Sequence, residues 1–365
     1  MDGDGRKMNE QAPISVIVRS MDRPTLDRAL TSIAAQTLRP REIIVVAACG
    51  MEHRPLPDCG AGIPISLVFP TPPKTRLLRP EAGNTGLRAA TSEWIGFLDD
   101  DDELMPHHFA TLYPAALAAY RKLGNRGRLA YSLAQGVDEA GNKTDVYGRS
   151  FTNVQFWQST ILSIMNGLFH RSLLADGCAF DENLAIHEDW DFWLQCAQHT
   201  TFTYIETITS IWHGAEGDSG CGFGRNHNLP QYQAAQASVL RKWAAACEAA
   251  RQELARQVSE AAAAHARGDI GRAIQTCQAI LRNDPENVNA ANLLGMISLH
   301  RGDLKSAHQL MTVAIAHAPP HFGLYYNMGL IEEASGNAQE ARKWFEKGLA
   351  LQPTHVGLIA KLKTV

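Results

Sequence analysis

Apolar runs alternate with amphipathic segments from Pro13 to roughly Phe202. The run Ile14–Ser20 is rich in β-branched residues and predicts a buried strand. The next segment, Pro24–Thr37, carries apolar residues at helical spacing and predicts an amphipathic helix. Further strands are predicted at Glu42–Ala48, Ile65–Phe69 and Trp94–Leu98. Strands separated by helices favour a mainly parallel sheet with helices on both faces, and ligands bind such sheets beyond the carboxyl ends of the strands.

The C-terminal third of the chain repeats with a different period. Glycine-containing turns at Ala266–Ile270, His300–Leu304 and Ala334–Ala338 recur every 34 residues, and a proline closes each unit. This period is typical of tetratricopeptide helix hairpins, of which three suffice for a stable stack. Residues 354–365 are then expected to form a capping helix.

The two patterns together predict a chain of successive segments. These are a flexible N-terminus at 1–12, an α/β domain at 13–230, a helical linker at 231–253, and three repeats with a capping helix at 254–365.

Composition narrows the classes of function. The formal net charge is -4 and no basic patch is present, so we expect no nucleic-acid partner. The first twelve residues are polar and unlike a secretory signal, and no apolar run could span a bilayer. The seven cysteines are scattered without a C-x-x-C pair, which favours reduced thiols. We expect a cytoplasmic protein, with peripheral placement at the inner face of the membrane as an alternative.

Four consecutive aspartates follow the last predicted strand. In an extended chain Asp99 and Asp101 would share one side, while Asp100 and Asp102 would take the other. Two carboxylates at the mouth of a strand suit a hard divalent cation, Mg²⁺ or Mn²⁺. The alternative is a solvated acidic turn in front of the next helix.

A second acidic pair begins a predicted helix. Glu188 and Asp189 precede an apolar face that includes Trp190 and Trp193. Carboxylates at a helix N-terminus are stabilised by exposed backbone N–H groups, so capping alone would explain them. General-base catalysis is the functional alternative.

Three segments occur in an order that resembles the family 2 glycosyltransferases: Pro13–Val46, Gly83–Pro106 and Phe180–Ala197. The resemblance extends from about Pro13 to Ser219. It implies a nucleotide-sugar-binding α/β domain of the GT-A type, which transfers a sugar with inversion at the anomeric carbon.

The resemblance also implies roles for individual residues. Asp99 to Asp101 would be the DXD element, with Asp101 as the metal ligand and either Asp99 or Asp100 near the ribose. His213 would complete the metal or diphosphate site. Asp189 would be the general base that takes a proton from the acceptor hydroxyl, with Glu188 as the second candidate.

Two further segments would contact the nucleotide by resemblance. The turn after the first strand supplies Arg19, Ser20, Asp22 and Arg23, and the loop before the aspartate strand supplies Asn84. Many family members carry an aspartate after the second strand that recognises the nucleotide base. This chain has Ala47, Ala48 and Cys49 there, so the sequence does not specify which nucleotide base is bound.

The sequence therefore predicts an inverting, metal-dependent glycosyltransferase with a GT-A domain and an all-α tetratricopeptide domain. Its donor would be a nucleotide-sugar, with a UDP-sugar as the usual choice in the family. The acceptor would be a hydroxyl of a glycan, a lipid-linked glycan or a protein, and the repeats would bind a protein partner. The alternative is a non-catalytic adaptor built on a degenerate glycosyltransferase fold.

Overall fold

The computed structural model describes residues 11–57, 62–150, 153–217, 221–222 and 228–365. Most of the segment predicted as a flexible N-terminus, 1–12, lies outside these ranges. The chain divides into two compact units. The first unit comprises the described residues of Met1–Ser150 and Phe156–Lys242, and the second those of Phe151–Gln155 and Trp243–Val365. The predicted segment boundaries themselves stay a prediction.

The first unit is built on one mixed sheet, which has nine strands among the described residues. Their order is β3-β2-β1-β4-β8-β6-β9-β5, and β7 pairs with β6. The strands are β1 (Gln11–Ser20), β2 (Arg39–Ala47), β3 (Ile65–Val68), β4 (Trp94–Asp99), β5 (Glu103–Leu104), β6 (Leu129–Val137), β7 (Lys143–Tyr147), β8 (Gly167–His170) and β9 (Phe202–His213).

The four strands predicted from apolar runs form the parallel half of this sheet. β1 pairs in parallel with β2 and with β4, and β2 pairs in parallel with β3. β8 is antiparallel to both β4 and β6. The parallel α/β fold is thus confirmed, and the strands after β4 add the mixed part of the sheet.

Helices connect these strands. The predicted segment Pro24–Thr37 contains α1, whose Leu26, Leu30 and Ile33 are buried against the sheet core. The helices before the long C-terminal helices are α1 (Leu26–Ala34), α2 (Arg79–Ala89), α3 (His108–Leu123), α4 (Asn153–Phe156), α5 (Ser172–Ala175) and α6 (Glu188–Ala197). Two short 3₁₀ helices lie at Gly124–Arg126 and Ile164–Asn166.

The strand register places the candidate site. Arg19 near the end of β1 is paired with Asp99, the last residue of β4, and with Val46 on β2. The carboxyl ends of β2, β1 and β4 therefore meet at one edge, as is usual for ligand sites in parallel α/β sheets. Because neighbouring strands lie about 4.8 Å apart, the side chains of Arg19 and Asp99 can interact directly.

The second unit consists of helix hairpins. Its helices are the C-terminal part of α7 (Leu229–Ala266), then α8 (Ile270–Asn283), α9 (Val288–His300), α10 (Leu304–His317), α11 (Phe322–Ala334), α12 (Ala338–Leu351) and α13 (Val356–Thr364). The segment expected to form a linker is helical, and it continues without a break into the first repeat. None of the described helices is long and apolar enough to cross a bilayer.

Backbone geometry explains the glycine period in the repeats. Gly268, Gly302 and Gly336 adopt φ values of 82°, 79° and 81°, a left-handed conformation that favours glycine. The side chains of Asp269 and Asp303 cap the helices that follow the first two of these turns. Three alanines that recur at the same 34-residue spacing, Ala273, Ala307 and Ala341, are fully buried.

We predict that Gly329→Ala destabilises the second unit by about 1–3 kcal/mol, the usual cost of overpacking. A Cβ at Gly329 in α11 would lie 2.3 Å from the ring of Phe345. The matched control is Gly271→Ala, in the exposed first turn of α8, where a Cβ meets nothing within 4 Å. This control should be neutral or stabilise by up to about 1 kcal/mol, because alanine favours the helix. Urea denaturation of the full chain compares the two variants, and equal stabilities would contradict the packing described here.

Candidate active site

A buried arginine joins three elements of the first unit. Arg19 is 5% exposed. Its Nε and Nη2 donate to the two carboxylate oxygens of Asp99 at 2.6 and 2.8 Å, and its Nη1 donates to Glu188 Oε1 at 2.8 Å. One guanidinium thus holds together the end of β1, the end of β4 and the first residue of α6.

The ion pairs fix the charge states of this group. Burial disfavours the charge on Arg19, yet Asp99 and Glu188 raise its pKa above the ordinary value. Burial likewise acts to raise the pKa of Asp99, but the Arg19 guanidinium holds that pKa below its usual range. Both groups are therefore charged at neutral pH, and neither is available for proton transfer.

A second arginine, Arg79, completes the environment of Glu188. It is the first residue of α2, and its Nη2 lies 3.3 Å from Glu188 Oε2 and donates to the carbonyl of Ala185 at 3.2 Å. Sequence reasoning missed Arg79. The available signal was the basic segment 74–79, which leads into α2 and ends at Arg79.

The aspartates do not alternate as predicted. β4 ends at Asp99 and the chain turns at Asp100 and Asp101, so the two-residue alternation of a strand stops. Asp99, Asp101 and Asp102 bring one carboxylate oxygen each within 4.8 Å of one another. The expectation that Asp102 takes the opposite side was wrong. The solvated acidic turn is also excluded, because Asp100 and Asp102 are buried.

Three converging carboxylates fit a divalent cation. Burial, and then the charge of Asp99, raises the pKa of Asp101 to about 7. Burial and the charge of Asp101 raise the pKa of Asp102 well above its ordinary value. Such repulsion is relieved by a hard cation with oxygen ligands, as Mg²⁺ and Mn²⁺ are. The donor set therefore suits the metal that the sequence predicts.

Asp100 instead organises the turn after β1. Its carboxylate accepts from the backbone N–H of Met21 at 2.6 Å and from Nη1 of Arg23 at 2.5 Å. Ser20 Oγ accepts from the N–H of Asp22, which has a left-handed φ of 60°. Asp100 is therefore an internal support of this turn.

Asn84 lies within α2 and not in the loop that the sequence predicts, and it is also an internal support. Its side-chain amide donates to the carbonyl of Phe180 and accepts from the N–H of the same residue, each at 2.9 Å. These bonds tie α2 to the loop that leads into α6. The side chains of Asn84 and Asp100 thus shape the site without lining its cavities.

His213 lies beside the aspartates but is oriented toward other carboxylates. Its backbone N–H donates to Asp102 at 2.9 Å, while its ring Nε2 lies 2.7 Å from Glu103 Oε1. Its Nδ1 lies 3.6 Å from Glu216 Oε1. The ring therefore pairs with glutamates outside the three-aspartate cluster.

Two neighbouring cavities open at the carboxyl edge of the sheet. The first cavity, of about 250 Å³, is lined by the aspartates 99, 101 and 102, by His213, and by Arg19, Arg23, Arg76 and Arg79. The second cavity, of about 210 Å³, is lined by Asp189, by Tyr147 and Tyr232, and by residues 160–165. Arg19, Arg79, Asp99, Asp102 and Trp212 line both cavities.

Asp189 is the titratable group of the second cavity that best suits a base. Burial, and then the charge of Glu188, raises its pKa to about 6. One of its oxygens accepts from the N–H of Trp190 at 2.8 Å, a bond within the first turn of α6. A carboxylate with this pKa is ionised at neutral pH and binds a proton more readily than an ordinary aspartate.

Comparisons with known proteins identify both parts of the chain. Residues 75–177, which include the aspartate cluster, match the profile of Glycosyl transferase family 2. The match to a family 2 glycosyltransferase domain thus covers residues 75–177 of this chain. Residues 322–355 match the profile of the tetratricopeptide repeat. The predicted combination of a glycosyltransferase with tetratricopeptide repeats is therefore confirmed.

Individual proteins are also similar to parts of this chain. The uncharacterized glycosyltransferase YwdF of Bacillus subtilis (strain 168) is 26% identical over 188 residues, which cover 51% of this chain and 68% of that protein. A mutant O-GlcNAc transferase of Thermobaculum terrenum is 26% identical over 30% of this chain and 21% of its own, with a TM-score of 0.30. The Arabidopsis OM64 tetratricopeptide domain is 17% identical over 31% of this chain and 93% of its own, also at 0.30. These two TM-scores are too low to bear on the fold.

We predict that Asp101→Asn stabilises the metal-free protein above pH 7. The folded-state pKa of about 7 lies above the ordinary 3.8, so Asp101 lowers stability as pH rises from about 4 to about 7. The stability that Asp101→Asn gains over the wild type should therefore be largest at pH 8 and fall to near zero at pH 4. Differential scanning calorimetry with and without Mn²⁺ measures it, and Asp145→Asn, at an exposed aspartate on β7, is the control.

Mn²⁺ should raise the melting temperature of the wild type and of Asp145→Asn at pH 8, but not that of Asp101→Asn. A destabilised Asp101→Asn, or one stabilised by Mn²⁺ as much as the wild type, would contradict the cluster as a cation site.

Proposed function

We propose that the α/β domain transfers a sugar from a nucleotide-sugar to an acceptor hydroxyl, with inversion and with Mg²⁺ or Mn²⁺. One observation carries this proposal: the cavity with three converging carboxylates and the cavity with Asp189 adjoin, and Arg19 and Asp99 line both. A donor and an acceptor held in these two cavities would meet at their shared wall.

The first cavity suits the nucleoside diphosphate of the donor. Arg23, Arg76 and Arg79 line it together with the aspartates, so the wall offers guanidinium groups to phosphate oxygens. A divalent cation held by Asp99, Asp101 and Asp102 would neutralise the charge that the departing diphosphate gains. The ring of His213 is directed at Glu103, so we assign it to the support of the cavity wall and not to the cation.

The second cavity suits the acceptor. The carboxylate of Asp189 takes the proton of the acceptor hydroxyl as its oxygen attacks the anomeric carbon. The bond from that carbon to the acceptor oxygen forms while the bond to the diphosphate oxygen breaks, and the electron pair leaves with the diphosphate. A single displacement of this kind inverts the anomeric configuration.

The surroundings of Glu188 favour Asp189 as the base. Glu188 accepts from Arg19 and lies against Arg79, and it is 1% exposed. Glu188 is thus engaged by two guanidinium groups and lines neither cavity, whereas Asp189 lines the second. Glu188 therefore acts as a positioning residue for the first turn of α6.

The adaptor alternative draws no support from this geometry. A degenerate site would have no need of three buried or half-buried carboxylates that repel one another. The repeats remain compatible with either function, and we propose that they bind a protein partner, since stacked tetratricopeptide hairpins commonly present an extended binding surface.

We predict that Asp189→Asn lowers kcat by about two to four orders of magnitude, because an amide cannot accept the proton. Donor binding should stay within about twofold of the wild type, since Asp189 does not line the first cavity. The assay measures transfer from a panel of nucleotide-sugars in Mn²⁺ by mass spectrometry, with donor affinity from calorimetry. Asp145→Asn, with an exposed side chain, should leave both unchanged. A near-normal kcat in Asp189→Asn would show that another residue is the general base. Absence of transfer by the wild type with every donor and acceptor class would favour the adaptor.

A further inference from the structure

The first cavity extends across three strands of the sheet. Its aspartates lie at the end of β4 and directly after it, its Met21 follows β1, and its Ala48 follows β2. Because β1 lies between β2 and β4, the two ends of this row are two strand spacings apart, roughly 10 Å. This is comparable to the distance from the diphosphate of a nucleotide, across its ribose, to the base. A nucleotide with its diphosphate at the aspartates would therefore place its base over the end of β2.

The cavity wall at the end of β2 is apolar. We call it the base slot and define it by five lining residues: Met21, Ala48, Leu77, Leu78 and Ala82. Leu78 is an exposed large hydrophobic residue, 47% accessible, and a base seated in the slot would cover part of it.

Three backbone N–H groups of the base slot are bonded within the protein. The N–H of Leu77 donates to the carbonyl of Ala48 at 2.7 Å, and the N–H of Leu78 donates to Oε2 of Glu81 at 2.7 Å. The N–H of Ala82 donates to the carbonyl of Leu78 at 3.0 Å. These donors are therefore occupied and do not read the edge of a base.

Arg76 is a polar neighbour of the slot that can bind a base through its face. Arg76 lines the same cavity and has an exposed side chain. A guanidinium can stack on the face of any nucleobase, since every base has a π-face. Contact of this kind adds affinity without selecting one base.

We propose that the base slot holds the nucleotide by apolar contact and stacking, so that nucleoside diphosphates with different bases bind with similar affinity. The inference rests on the proposed function and specifies its donor class. Sites that hydrogen-bond a ligand group reject analogues without that group by large factors, whereas apolar pockets discriminate weakly. The chain would therefore accept nucleotide-sugars of more than one base.

The test compares UDP, CDP, GDP, ADP and inorganic pyrophosphate in Mn²⁺, by calorimetry with the full wild-type chain. The four nucleotides should bind with Kd values within about tenfold of one another, and each more tightly than pyrophosphate. A preference of a hundredfold or more for one base would overturn base indifference. Nucleotides that bind no better than pyrophosphate would overturn the slot. Absence of binding by all five ligands would overturn the proposed function itself.

A pair of variants tests the slot directly. Leu78→Ala should weaken all four nucleotides by a common factor of about three to ten, while pyrophosphate affinity stays unchanged, because only the base loses apolar contact. The matched control is Leu123→Ala on α3, since Leu123 is equally exposed at 47% and lines neither cavity. Both side chains are half-exposed, so neither substitution removes a buried core side chain. Selective weakening of one nucleotide, or no weakening, would contradict the proposal.

Discussion

The active-site region depends on the buried charge of Arg19. A guanidinium removed from water is costly unless carboxylates pair with it, and here Asp99 and Glu188 come from β4 and α6 to do so. The carboxylates of Asp99 and Glu188 in turn need a positive partner, and an arginine supplies it for each. The ion pairs therefore bring the strand that carries the aspartates to the helix that carries Asp189.

The carboxylates without a strong arginine partner are the ones that suit cation binding or proton transfer. Arg19 compensates Asp99, while Asp101 and Asp102 stay close to other carboxylates and have raised pKa values. Burial and the charge of Glu188 raise the pKa of Asp189 in the same way. Raised pKa values of this kind are typical of functional sites, and they support the proposed cation site and the proposed base. The neighbouring carboxylates Glu188 and Asp189 have different surroundings, because Glu188 lies against both arginines while Asp189 lines the second cavity.

The sequence predicted the features that rest on local periodicity or on contiguous motifs. The four parallel strands, the 34-residue repeats and the glycosyltransferase domain follow from such patterns. What it missed depends on contacts between distant residues. Asp102 joins the aspartates because β4 ends at Asp99, and Arg79 reaches Glu188 across more than a hundred positions. The inward roles of Asn84 and Asp100 likewise follow from tertiary hydrogen bonds, which no local pattern specifies.

The most direct test of the Arg19 linkage is a double-mutant cycle with Arg19→Met, Glu188→Gln and the double variant. Unfolding free energies of the α/β domain can be followed through its buried tryptophans Trp94, Trp190 and Trp193. If the guanidinium joins β4 to α6, Arg19→Met leaves the buried carboxylates of Asp99 and Glu188 without it and costs about 3–5 kcal/mol. Glu188→Gln should cost less, because Arg19 keeps its two hydrogen bonds to Asp99. The double variant should then lose less than the sum of the single losses, by about 1–3 kcal/mol. Additive losses would contradict the account.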